Sequence, residues 1–135
     1  MSESGRCHCG AITYEVVDGA APIYHAMCHC SDCRRSSGAP AITWALFRQE
    51  QVQIEGSPKL YKSSEHGQRF FCSNCGSSLF YINEQIFPGQ IDIQSATFDD
   101  PEVYPLSVQV QVAERVGYMK DLGSVPAFER YPGTE

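Results

Sequence analysis

Hydrophobic positions along this chain come in short runs that alternate with polar ones, and almost nowhere at the spacing of a long amphipathic helix. Residues 11–17 (AITYEVV) alternate well enough for a half-buried strand, and 23–27 (IYHAM) predict a second that runs into the first cysteine of a cluster. Further strands are expected at 40–47 (PAITWALF), 52–55 (VQIE), 59–64 (KLYKSS), 68–72 (QRFFC) and 78–82 (SLFYI). Segments 89–98 (GQIDIQSATF) and 106–114 (LSVQVQVAE) continue the period of two, the latter with Val108, Val110 and Val112 on one face. Only 31–38 (SDCRRSSG) reads as helical, for one or two turns, with Ser31 as its cap and Gly38 as its end. Many short strands without long helices predict a mainly β domain of curled sheets. Trp44 and Phe47 are assigned to its core, and His25 is given no role beyond its strand.

Composition narrows the class. A chain of 135 residues and 15.0 kDa is expected to form a single domain over 1–135, and 42% hydrophobic with 19% charged residues suits a globular protein. No stretch approaches the ~20 apolar residues of a membrane helix. The opening MSESGRCHCG has no apolar signal core, so a cytoplasmic location is the expectation. A net charge of −6 without a basic run argues against nucleic acid as a partner.

The seven cysteines change the picture most. An odd number cannot close into a full set of disulfides, and in a reducing compartment clustered thiols are metal ligands or catalytic groups before they are staples. They fall into three groups: Cys7 and Cys9 in CHCG, Cys28, Cys30 and Cys33 in CHCSDC, and Cys72 and Cys75 in CSNCG. Zinc takes four ligands in structural sites and three plus an open position in catalytic ones. The CSNCG turn is a zinc knuckle, with Gly76 supplying the positive φ that turns backbone N–H groups toward sulfur. It supplies two ligands, and the CHCG pair fits as the other two. Cys28, Cys30 and Cys33 are then left for a second zinc with a vacant position. Two competing readings stand beside this one. His8, His29 or Asp32 could complete a second closed site, although His29, between two ligands on a strand, points away from them. Alternatively, Cys30 and Cys33 could form a redox dithiol.

Three stretches, GRCHCGAITYEV (5–16), CHCSDCRRSSGAP (28–40) and FFCSNCGSSLF (70–80), resemble in content and order the glutathione-dependent formaldehyde-activating enzyme family, which includes centromere protein V. The resemblance implies a β-tent fold of coiled antiparallel sheets. It also implies a structural zinc on Cys7, Cys9, Cys72 and Cys75 and a second zinc on Cys28, Cys30 and Cys33, where glutathione binds. The implied activity is that of a carbon–sulfur lyase or synthase forming S-hydroxymethylglutathione from formaldehyde and glutathione. The C-terminal third departs from the pattern: Gln109 and Tyr118 stand where family members often carry His and Trp, while VPAFERYP (125–132) keeps the family's ending.

An open zinc lowers the pKa of a bound thiol, and three thiolate ligands suit it to presenting sulfur better than to polarising a carbonyl. The two carboxylates of glutathione call for local cations, and Arg34 and Arg35 are the candidates, at most one of them facing the site. Ser37, with Ser36 and the SGAP backbone, is a candidate hydrogen-bond donor to the same ligand. His66 and Arg69 are assigned to a solvated loop. A non-catalytic zinc-stabilised binding module and a glutathione-using enzyme with another electrophile remain as rival functions.

Overall fold

The computed structural model describes residues 2–133. Ten strands are present: β1 (Glu3–Arg6), β2 (Thr13–Val16), β3 (Tyr24–Cys28), β4 (Ile42–Arg48), β5 (Val52–Glu55), β6 (Lys59–Lys62), β7 (Gln68–Phe71), β8 (Ser78–Ile82), β9 (Gln90–Gln94) and β10 (Val108–Val110). One α-helix, α1 (Ser31–Ser37), and several 3-10 turns complete the described elements. The chain is thus mainly β, as its alternation predicts. No helix among these residues is long and apolar enough to cross a membrane.

The strands form two sheets, one in the order β1-β2-β5 and one in the order β10-β3-β4-β9-β8-β7-β6. Neighbours are antiparallel except for β10, which lies parallel to β3. The main core lies between the sheets and contains Tyr14 and Val16 from β2, Ala45 and Phe47 from β4, Leu79 and Phe80 from β8, and Ile91 and Ile93 from β9. Tyr14 meets Phe80 and Phe98 edge-on, with ring centroids 5.4 and 5.3 Å away.

Two local expectations are corrected, and one strand carried no alternation to read. The helix is capped by Cys30, whose Sγ accepts the backbone N–H of Cys33 at 3.3 Å, and not by Ser31; Gly38 ends it with φ 75°. The run 106–114 yields only a three-residue strand, because Gln111 takes a left-handed φ of 58° and the chain then turns into a 3-10 turn. Strand β1, written ESGR, has no apolar residue and escaped a reading based on hydrophobic period.

What holds β1 in place is close approach. A Cβ at Gly5 would fall on the Tyr14 ring and hydroxyl and on the Thr97 carbonyl, while Tyr14 Oη and Thr97 Oγ1 share a 2.7 Å hydrogen bond. Gly5→Ala must therefore displace a buried tyrosine. It is expected to cost about 2 kcal/mol or more in chemical denaturation; an unchanged midpoint would contradict the packing described.

Candidate metal centres and cavity

The turns between strands bring the cysteines together in two groups. Sγ atoms of Cys7, Cys9, Cys72 and Cys75 all lie within 4.8 Å of one another, and so do those of Cys28, Cys30 and Cys33. None of the seven is in a disulfide. In the first group Cys7–Cys9 and Cys9–Cys72 are each 3.7 Å apart. Four sulfurs placed tetrahedrally at about 2.3 Å from one zinc are separated by about 3.8 Å, so the donor set and its spacing fit such an ion. Backbone N–H groups face these sulfurs, Ile12 to Cys7 at 3.3 Å and Cys75 to Cys72 at 3.5 Å. Gly10 and Gly76, both at φ 83°, make the two turns possible. Cys7 and Cys9 follow β1 in the small sheet, and Cys72 and Cys75 join β7 to β8 in the large one. A cation here would tie the two sheets together.

The second group stands at the end of β3 and the start of α1. Among the described residues no His, Asp or Glu joins its three sulfurs. His29, 1% exposed, sends its Nε2 to Gln109 Oε1 at 2.8 Å, with Nδ1 enclosed and unpartnered. Asp32 is exposed at the helix start. Burial and mutual hydrogen bonding drive the thiols apart in proton affinity. Cys28 is pushed up chiefly by its hydrogen bond to Cys33, and Cys33 is pulled down chiefly by the same bond, with help from Trp44 and Arg69. Three sulfurs this close do not all ionise unaided; a cation between them removes the obstacle.

Next to this group opens a cavity of about 650 Å³. Its floor is one cross-strand row of the large sheet. Register sets Tyr24 beside Leu46, Leu46 beside Asp92, Asp92 beside Tyr81 and Tyr81 beside Arg69, so all five share a face. Trp44, Ile86, Phe87 and Val110 add apolar wall, and Asp32 and Glu114 also line it. Arg69 is 6% exposed, with its guanidinium carbon 5.0 Å from the Tyr81 ring centroid and Nη2 3.7 Å from Cys33 Sγ. Asp92 is 3% exposed, and its Oδ1 has no hydrogen-bond partner among the described residues. Desolvation, reinforced by the charge of Cys33, raises its carboxyl from 3.8 to about 7.

A sequence model of the glutathione-dependent formaldehyde-activating enzymes matches residues 2–114. The chain belongs to that family. Among relatives, an uncharacterized lyase of Schizosaccharomyces pombe is 29% identical over 105 residues, 70% of this chain and 73% of that protein. A Halomonas elongata protein, provisionally named a glutathione-dependent formaldehyde-activating enzyme, is 31% identical over 91 residues, 62% of this chain and 57% of that one. A Rhodobacter sphaeroides protein of known crystal structure superposes with a TM-score of 0.62 at 25% identity, covering 79% of this chain and 99% of its own.

Within this family member the cations lie elsewhere than sequence reasoning placed them. Neither Arg34 nor Arg35 lines the cavity; Arg34 is half-buried on α1 and lies in the field of Glu114, while Arg35 is exposed. Ser37 donates its hydroxyl to the Cys33 carbonyl at 2.7 Å and accepts from the Ala39 N–H at 3.1 Å, which closes the helix end. Arg69, assigned to a solvated loop, is instead the buried cation of the cavity. Its neighbour in that assignment, His66, is exposed as expected. Trp44 is buried as expected but walls the cavity. Gln109 is the partner of His29, and Tyr118 lies exposed away from the site. His25 is structural: Nε2 meets Ser95 Oγ at 2.7 Å, and Nδ1 meets the Pro105 carbonyl at 3.2 Å. Asp92 carried no sequence signal beyond its interruption of the apolar run Ile91–Ile93.

A carboxyl titrating higher folded than unfolded stabilises the fold fully below its unfolded value, and that contribution is lost as pH rises toward 7. The Asp92→Asn protein should therefore gain on wild type between pH 4 and pH 8, by on the order of 2–4 kcal/mol. Denaturation of both proteins across that range measures it. A pH-independent difference would contradict the assigned shift.

Proposed function

We propose that this family member joins a thiol, glutathione in the first instance, to a small aldehyde such as formaldehyde. In this reading the four-cysteine group holds a structural zinc and Cys28, Cys30 and Cys33 hold a second one. The observation that carries it is the three-sulfur cluster, with no fourth protein ligand among the described residues, at the wall of a 650 Å³ cavity. Zinc in such a site supplies the means to ionise a thiol at neutral pH. The family match and the relatives' names support the choice of glutathione and formaldehyde.

The protein's own contribution is placement and a partly aromatic surround. Trp44, Tyr24, Tyr81 and Phe87 wall the cavity with aromatic surface, which lowers the local dielectric and strengthens charge interactions inside. Arg69 puts a positive charge within 3.7 Å of Cys33 Sγ, which favours the thiolate form of that ligand. The guanidinium is packed over Tyr81, 5.0 Å from its ring centroid. Arg34 and Arg35 remain available outside the cavity for the carboxylates of a ligand that extends past its rim.

The two clusters should respond differently to loss of one sulfur. Cys75→Ser removes a cross-link between sheets and is expected to unfold the domain or cost several kcal/mol. By contrast, Cys30→Ser should leave the circular dichroism spectrum intact, lower bound zinc from two per chain to one, and abolish S-hydroxymethylglutathione formation above the uncatalysed rate. Equal unfolding by both substitutions, or full activity in the Cys30→Ser protein, would refute the division of roles.

A further inference from the structure

Adding a thiol to an aldehyde moves one proton: the S–H hydrogen must leave and the carbonyl oxygen must gain one. A side chain fixed in the cavity can carry it in place of solvent. We propose that Asp92 is that carrier, taking the thiol proton as the ligand binds and returning it to the oxygen as the carbon–sulfur bond forms. The proposal rests on the thiol–aldehyde reading above.

Asp92 sits in the middle of the cross-strand row, between Leu46 and Tyr81, with the sulfur cluster and the cavity on the same face. It is 3% exposed, and its enclosed Oδ1 has no hydrogen-bond partner among the described residues that would account for burying it. The groups facing it are Tyr24 from β3, Tyr81 from β8, Arg69 from β7 and the three thiols from β3 and α1. None of these fits the task better. The guanidinium of Arg69 offers donors only and no acceptor for the thiol proton. The phenol of Tyr24 is pushed further up by burial and by Asp92 itself, and that of Tyr81 accepts from Asn83 Nδ2 at 3.0 Å. At the cavity's edge Asp32 is exposed, and Glu114 accepts the Ser31 backbone N–H at 3.0 Å.

The step balances without a co-reactant. The carboxylate accepts the proton from RSH; the sulfur lone pair attacks the aldehyde carbon while the carbonyl π pair moves to oxygen. The carboxylic acid then gives its proton to that oxygen, yielding RS–CH2–OH and restoring the carboxylate. Sub-neutral carboxyls cannot do this well, because a strong acid holds no proton to return; burial beside aromatic rings supplies the needed basicity.

The experiment is a proton inventory on the zinc-loaded full chain. Glutathione is titrated at pH 7.5 in buffers of different ionisation enthalpy, so that calorimetry counts protons released per thiol bound. Wild type should release close to none, because Asp92 keeps the proton, whereas the Asp92→Asn protein should release about one while holding the same zinc and binding glutathione. In parallel, infrared difference spectra should gain a protonated-carboxyl band on thiol binding in wild type and not in the variant. Adduct formation with formaldehyde should fall about 100-fold or more, with partial recovery in Asp92→Glu. Equal proton release by both proteins overturns the role of Asp92 and leaves the thiol reading standing. Failure of zinc-loaded wild type to bind glutathione overturns that reading and this proposal with it.

Discussion

Thiols held within 4.8 Å of one another repel once ionised. The four that meet between the small and large sheets come from two separate strand connections. A divalent cation turns that repulsion into attraction, and the gain is large because the separated cysteines of an unfolded chain offer no preformed site. Both sheets are built from strands of 3 to 7 residues, and the core between them rests on a handful of aromatic and aliphatic side chains. Such a core gains much from a tether at its edge. The cysteine turns are shaped for it: glycines at positive φ let each chain double back, and backbone N–H groups turn toward sulfur, where they stabilise its charge.

The large sheet does two jobs because its two faces differ. On one face Ala45, Phe47, Phe80, Ile91 and Ile93 close against the small sheet. The other carries Tyr24, Leu46, Asp92, Tyr81 and Arg69 under α1 and the three-sulfur cluster. A single register therefore ties stability to chemistry, since a one-residue slip of β9 would exchange Asp92 for an isoleucine in the cavity and put a carboxyl in the core. Buried Arg69 and Asp92 are costly to the fold. Their place beside the three clustered sulfurs is the arrangement in which functional sites generally put such costly groups.

How much of this was legible in the sequence follows from what each residue type announces. Alternation located β5 and β8 to the residue, and β2, β3, β4, β6, β7 and β9 to within a few. Cysteine spacing alone grouped the seven thiols as the structure groups them, because ligands for one ion need local pairs at turns. Arg69 and Asp92 were missed for a shared physical reason. Period-two reading assigns the polar face of a strand to water, and here that face floors a cavity, so a polar residue between apolar ones looks solvated when it is enclosed. Arg34 and Arg35 do not line the cavity, because adjacency to Cys33 in sequence is not adjacency in space on a helix whose inward side is taken by Cys33 itself. Glycine in β1 carried the last hidden signal, a strand held by close approach to Tyr14 and not by apolar period.

X-ray absorption at the zinc edge, on the zinc-loaded chain with and without glutathione, tests the central claim most directly. One closed and one open site predict about 3.5 sulfur neighbours per zinc on average, rising to about 4 when the thiol is added. Four sulfurs per zinc beforehand with no change on addition, or no zinc bound at all, would contradict it.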